Sequence, residues 1–188
     1  TGVLYARRGA RFKPLLHGGG QERGRRAGTE NVAGAVGLAK ALELAVAEQP
    51  ETSARITALR ERLIEKVLGR IPDAYLNGPR GERLPNNASF SFPGAESDLL
   101  VLNMDLEGIA CSSGSACTAG ALEPSHVIKA LGLPYERRVS ALRLSLGRTT
   151  TEADVDAAAD ALERIVSRLR GHGAATGVSV AVAAARAG

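Results

Sequence analysis

Leu142-Arg143-Leu144-Ser145-Leu146 narrows the possible folds more than any other stretch of this chain. Its leucines occupy alternate positions, with Arg143 and Ser145 between them, which is the period of a strand with one buried and one wet face. Ala88, Phe90 and Phe92 alternate with Ser89 and Ser91 in the same way, so residues 87–92 read as a second strand. Helical periods supply a cover for such strands. Ile56, Leu59, Leu63 and Val67 mark one apolar helix face; Val155, Ala158, Leu162, Ile165 and Leu169 mark another. Alternation of the two kinds of element predicts an α/β architecture.

The core of that architecture has to be aliphatic, because aromatics make up 3% of the 188 residues and Trp is absent. The length suits one domain or a little more. The two cysteines, Cys111 and Cys117, make no disulfide framework and point to a reducing compartment. No apolar run is long enough to span a bilayer, and no basic-then-apolar leader is present, so a cytoplasmic protein with no membrane partner is expected. Net charge is +4. Arg7, Arg8, Arg11, Lys13, Arg23, Arg25 and Arg26 concentrate the positive charge, opposed by Glu22 alone. No stacking aromatics interleave Arg23 to Arg26 and no nucleic-acid motif spacing occurs, so the cluster suits a small anion or a subunit interface rather than nucleic acid.

Along the chain, residues 1–6 read as a strand and residues 7–28 as a glycine- and arginine-rich loop. Thr29-Glu30-Asn31 opens a helix that Pro50 should end. A second helix follows, capped by Thr52 or Ser53. Asn77 to Gly81 is a turn, and Ser97 should cap a short helix over residues 99–102. Gly108 to Cys111 reads as a strand. Pro124 fits the first turn of a helix that Gly132 stops. Thr149 and Glu152 resemble a capping box for the last helix. Residues 171–188, rich in alanine, glycine and valine with no convincing period, predict a disordered tail.

Three positions carry candidate chemistry. Cys117 stands in Ser112-Ser113-Gly114-Ser115-Ala116-Cys117-Thr118, among small hydroxyl-bearing residues and between Gly114 and Gly120. Such a thiol is either an accessible nucleophile or an incidental cysteine in an exposed turn. Arg143 lies on the polar face of the leucine strand. It suits bidentate capture of a carboxylate, or equally a surface ion pair. Thr29 ends the glycine-rich run His17 to Gly28 at a helix start, where it is either an anion ligand or simply the N-cap.

These stretches together resemble the cysteine desulfurases. The likeness is carried by His17-Gly-Gly-Gly-Gln-Glu-Arg-Gly-x-Arg-x-Gly-Thr-Glu-Asn31, Ser112-Ser-Gly-Ser-Ala-Cys-Thr118, Leu122-Glu-Pro-Ser-His126 and Leu142-Arg-Leu-Ser-Leu-Gly-Arg148. It covers residues 1 to about 170 and is to group I, the nitrogen-fixation and iron–sulfur-cluster type. The resemblance implies an aminotransferase class V fold, a homodimer, and pyridoxal phosphate as cofactor. It implies removal of sulfur from L-cysteine, leaving L-alanine and an enzyme persulfide for a sulfur-acceptor or scaffold protein. By position, Cys117 would take the sulfur, Arg143 would hold the substrate carboxylate, and Thr29 would reach the phosphate of the partner's cofactor. The Schiff-base lysine of the family falls ahead of Thr1, and none of Lys13, Lys40, Lys66 and Lys129 lies in its motif. The chain thus reads as a C-terminal half, inactive alone: residues 1–50 end the large cofactor domain and residues 51–170 form the small one. A selenocysteine lyase or sulfinate-acting relative, and a non-catalytic dimerising remnant, are the alternatives.

Overall fold

The computed structural model describes residues 1–113 and 125–175, with side chains as far as Gly171 in the last helix. Cys117, Pro124 and residues 176–188 lie outside the described residues. Two compact units divide the chain, Thr1–Glu51 and Thr52–Gly188, and each is described by itself.

In the first unit, residues 1–6 are not a strand, contrary to expectation. A strand needs a neighbour for its main-chain groups, and none pairs with this stretch among the described residues; Val3, Leu4 and Tyr5 stand exposed. The glycine-rich run is more ordered than a plain loop. β1 (Gly20–Gln21) and β2 (Arg26–Ala27) pair antiparallel around a 3-10 turn at Glu22–Gly24. Glu22 and Arg23 hold φ of 50° and 57°, a left-handed backbone that costs side-chain-bearing residues roughly 1–2 kcal/mol each.

The helix α1 (Val32–Arg70) runs through Pro50 instead of ending there, and neither Thr52 nor Ser53 starts a new one. Proline forfeits one main-chain bond and crowds the preceding turn, a cost of about 3 kcal/mol. The buried face that follows it, Ile56, Leu59, Leu63, Ile64 and Val67, outweighs that cost, since each such side chain contributes about 1.5–3 kcal/mol when fully buried.

The second unit is built on a three-stranded antiparallel sheet in the order β3 (Tyr75–Leu76), β4 (Asn87–Ser91), β5 (Ala141–Ser145). The alternation read from sequence is present. Ala88 and Phe90 from β4 and Leu142 and Leu144 from β5 are buried, and Phe92 and Leu146 continue the pattern. Asn87 pairs with Ser145 and Ser89 with Arg143, so the sheet's other face is polar. The core is closed by α1, by Leu100 and Met104 of α2 (Ser97–Leu106), and by Val155, Leu162, Ile165 and Val166 of α5 (Glu152–Ala175). Short helices α3 (His126–Ala130) and α4 (Tyr135–Arg138) lead back to β5. Ion pairs join α1 to α5: Arg62 grips both Asp156 oxygens at 2.8 and 2.7 Å, and Lys66 reaches the same carboxylate at 2.6 Å.

The helix caps differ from expectation in instructive ways. α5 is capped by Thr151, whose hydroxyl accepts from Asp154 N at 3.2 Å while Asp154 returns a carboxylate to Thr151 N at 2.8 Å. The reciprocal pair is a capping box two residues beyond the Thr149 and Glu152 of the sequence reading. Glu96, not Ser97, stands at the N-cap of α2. α5 continues past Arg170 to Ala175. Residues 108–111 form no strand; their segment touches the sheet at a single bridge, Ser112 to Arg143.

Candidate active site

The bridge at Ser112 organises the site. Arg143 sits on β5 with its backbone turned away from β4. Ser112 N donates to Arg143 O at 3.1 Å and Arg143 N donates to Ser112 O at 2.7 Å. The segment that leads to Cys117 is therefore fastened to the main chain of Arg143, while the Arg143 side chain is exposed on the polar face of the sheet, opposite Ser89. The structure thus brings Arg143 together with Ser112, five residues before Cys117 in the sequence. Cys117 itself lies outside the described residues.

The entry to β5 is fixed by contacts that sequence reading did not foresee. The Ser97 hydroxyl, free of capping duty, lies 2.8 Å from Val139 O and 2.9 Å from Ala141 O. Phe92 N donates to Ser140 O at 3.0 Å. Ser91, fully buried, places its hydroxyl 2.7 Å from Arg137 O. The sequence carried no signal for this, because Ser91 shares the polar register of Asn87 and Ser89 and only the fold buries it.

Beside the bridge, α2 and the chain from Ile109 to Ser113 enclose a hollow of about 380 Å³, lined by Asp98, Val101, Leu102, Asp105, Ile109 and Cys111 among others. Cys111 is half-buried against the core. Burial, seconded by the Asp105 charge, pushes its thiol up to about 11. At neutral pH it is protonated and less reactive than a free thiol, as a small hydrophobe should be.

Thr29 belongs to the first unit. Sequence alone left it as either cap or ligand, and the structure gives the cap to Asn31: Gly34 N donates to Asn31 Oδ1 at 2.8 Å, and α1 starts at Val32. The exposed Thr29 hydroxyl is released from that role. Near it in sequence, Leu16, His17, Gly18, Gly20, Gly24 and Arg26 border a small hollow of about 170 Å³. Imidazole and guanidinium groups around exposed glycine main chain suit an anion. Of the lysines, Lys40 pairs with Glu43 at 2.9 Å and Lys66 with Asp156. Among the described residues no cluster of metal ligands occurs, and no helix is long and apolar enough to cross a membrane.

The chain is 50% identical over 170 residues to a cysteine desulfurase IscS of Dictyoglomus turgidum, covering 90% of this chain and 43% of that protein. It is 51% identical over 169 residues to a cysteine desulfurase of Nostoc, with 90% and 42% covered. Among solved structures, a NifS-like protein superposes with a TM-score of 0.75 at 35% identity, over 87% of this chain and 41% of that one. A NifS-like protein from Rickettsia africae does so with a TM-score of 0.71 at 31% identity, over 84% and 41%. The chain thus spans under half the length of the relatives it matches. With residues 1–158 matching the aminotransferase class-V description, the mixed strand-and-helix fold and these relatives together, the chain belongs to the aminotransferase class-V family.

Proposed function

We propose that this chain is the part of a cysteine desulfurase that receives the sulfur and anchors the substrate. In this reading residues 1–50 complete a large cofactor domain and residues 51–170 form the small domain. The observation that carries it is the Ser112–Arg143 bridge. A guanidinium suited to a carboxylate and a thiol-bearing segment share one point of attachment. Arg143 would hold the α-carboxylate of L-cysteine through a forked, charge-assisted pair. The Cys117 thiolate would attack the sulfur of the bound cysteine: an S–S bond forms, the Cβ–S bond breaks, and its electron pair stays with carbon. Protonation of that carbon gives L-alanine, and Cys117 keeps the sulfur as a persulfide for an acceptor protein.

Pyridoxal phosphate, when bound, supplies the electron sink that this bond cleavage needs. The residues present fit its phosphate, since Thr29 is not consumed as the helix cap. In a homodimer Thr29 would serve the cofactor of the partner subunit. Lys40 and Lys66 are engaged in ion pairs and are not offered as carriers of the cofactor.

The test is persulfide mapping by mass spectrometry in a full-length enzyme carrying this chain, after incubation with L-cysteine. The extra sulfur should sit on Cys117. Cys117→Ser should abolish sulfur release, and Cys111→Ala should keep most of it. A persulfide on Cys111, with Cys117 dispensable, would sink the proposal. Turnover of selenocysteine or a sulfinate in preference to cysteine would move the chain to a sister activity.

A further inference from the structure

The polar face of the sheet carries a row of side chains that runs through Arg143. Asn77 N donates to Ser89 O at 2.8 Å, so the pairing of β3 with β4 extends one residue past Leu76. Ser89 pairs with Arg143, and Arg143 with Ser112. Directly paired residues project from the same face, so Asn77, Ser89, Arg143 and Ser112 stand in line across the sheet. The main chain of Ser89 is turned to Asn77, and that of Arg143 to Ser112. The Ser89–Arg143 pair is therefore of the class without main-chain bonds, in which Cα atoms lie about 4.5 Å apart and side chains come closest. The Arg143 side chain is exposed, and among the described residues no ion pair or hydrogen bond engages its guanidinium. A short serine beside it leaves the long arginine stem room to bend over the strand.

The direction of the Ser89 hydrogen follows from its neighbours. Arg137 Nη2 lies 3.1 Å from Asn77 Oδ1. A guanidinium only donates, so the oxygen of the Asn77 amide has to face it. Ser91, fully buried, sets its hydroxyl 3.0 Å from the same oxygen. Asn77 is itself buried, and reversing its amide would set donor against donor and leave the oxygen without these partners. The amide nitrogen is thus turned the other way, to the Ser89 hydroxyl at 3.4 Å. The bond is long, but its sense is fixed: the nitrogen donates and Ser89 Oγ accepts. The hydroxyl keeps its own hydrogen to give. Ser89 is half-buried, and its open side is the surface it shares with Arg143. A carboxylate offers about four lone-pair sites and a guanidinium fork fills two of them, so a further donor can be accepted.

We propose that the Ser89 hydroxyl is a second donor to the carboxylate that Arg143 captures, and that Asn77 is the positioning residue that aims it. The pair selects for ligands with a carboxylate against amines without one. This assignment rests on Arg143 being the substrate anchor.

In a full-length enzyme carrying this chain, L-alanine and ethylamine are the probes, the second being the first without its carboxylate. Used as competitive inhibitors, each gives a binding constant. Ser89→Ala should weaken L-alanine about tenfold, the loss of one hydrogen bond to a charged group, and leave ethylamine unchanged. KM for L-cysteine should rise with kcat held, because the contact is made equally before and during the reaction. Ser89→Thr keeps a hydroxyl and should restore most of the loss. Asn77→Asp still accepts from Arg137 but offers Ser89 an acceptor in place of a donor. The serine hydrogen should turn to it, so L-alanine should weaken as in Ser89→Ala, and by less than about twofold more when the two changes are combined. Equal weakening of both inhibitors, or a fall in kcat that Ser89→Thr does not repair, would reduce Ser89 to a support of the sheet and overturn the proposal. A fully additive effect of Asn77→Asp would overturn the aiming by Asn77. If Arg143→Ala weakens L-alanine and Ser89→Ala does not, the serine assignment falls and the anchor stands. The reverse pattern removes the arginine and keeps the serine.

Discussion

The reactivity of Cys111 can be worked out from its surroundings. The thiol lies half-buried beside the hollow under α2, with Asp105 near enough to oppose a negative charge. Burial is the larger influence and Asp105 the smaller, and together they lift the thiol from 9.0 to about 11. At pH 8 an ordinary thiol of that starting value is about one-tenth thiolate, and Cys111 about one-thousandth, a deficit of roughly a hundredfold. Each thiolate is more nucleophilic in partial compensation, by roughly eightfold for a shift of this size. The net expectation is alkylation about tenfold slower than that of a free thiol, before restricted access slows it further. The sign is fixed by the cause: a raised value keeps the proton on in the folded state, so the rate should climb steadily with pH and show no plateau near 9. The assay is iodoacetamide labelling of the Cys117→Ser chain from pH 7 to 10, followed by mass spectrometry. Asp105→Asn should recover only a minor part of the deficit, since burial remains. A plateau near pH 9, or a rate matching a free thiol, would refute the reasoning and return Cys111 to the list of candidate sulfur carriers.

Two other outcomes follow from packing and charge. Leu162→Ala, at a fully buried position of α5, should cost about 2–5 kcal/mol in urea unfolding, and a loss below about 1 kcal/mol would mean the site collapses around the gap. Asp156 is held well below the usual carboxylate range by hydrogen bonds from Arg62 and then Lys66. The stability from this group is therefore present above the ordinary carboxylate value and is lost as pH falls toward the depressed one. Asp156→Asn should lower stability at pH 7 and flatten its decline in acid, and an unaltered acid unfolding curve would show that the pairing carries no such linkage.

What the sequence made legible was whatever repeats. The leucines of β5, the alternation in β4 and the helical face of α5 are periodic, and periodicity survives without knowledge of neighbours. Single-residue punctuation fared worse, because its meaning depends on distant partners. Pro50 reads as a stop only when the following turn has nothing to bury, and here Ile56 to Val67 have a core to join. Ser97 reads as a cap until the carbonyls of Val139 and Ala141 are seen beside it. Thr149 and Thr151 are equally good caps on paper, and the return bond from Asp154 selects the second. Of the site, Arg143 was legible as the polar residue of a half-buried strand. The Asn77–Ser91–Arg137 cluster was not, because its members lie far apart in sequence and meet only across the sheet.

The Ser112 bridge bears on how such a chain can change through descent. Upstream, the segment holding Cys117 starts from a main-chain attachment that asks nothing of the side chain at 112 or 143. Downstream it rejoins at Ser125, which is buried and caps α3 through a bond from Val127 N. Neither mooring asks for a side chain from the residues between them. A lineage can rewrite the sequence between the moorings while the sheet, its arginine and the helices behind them are inherited unaltered.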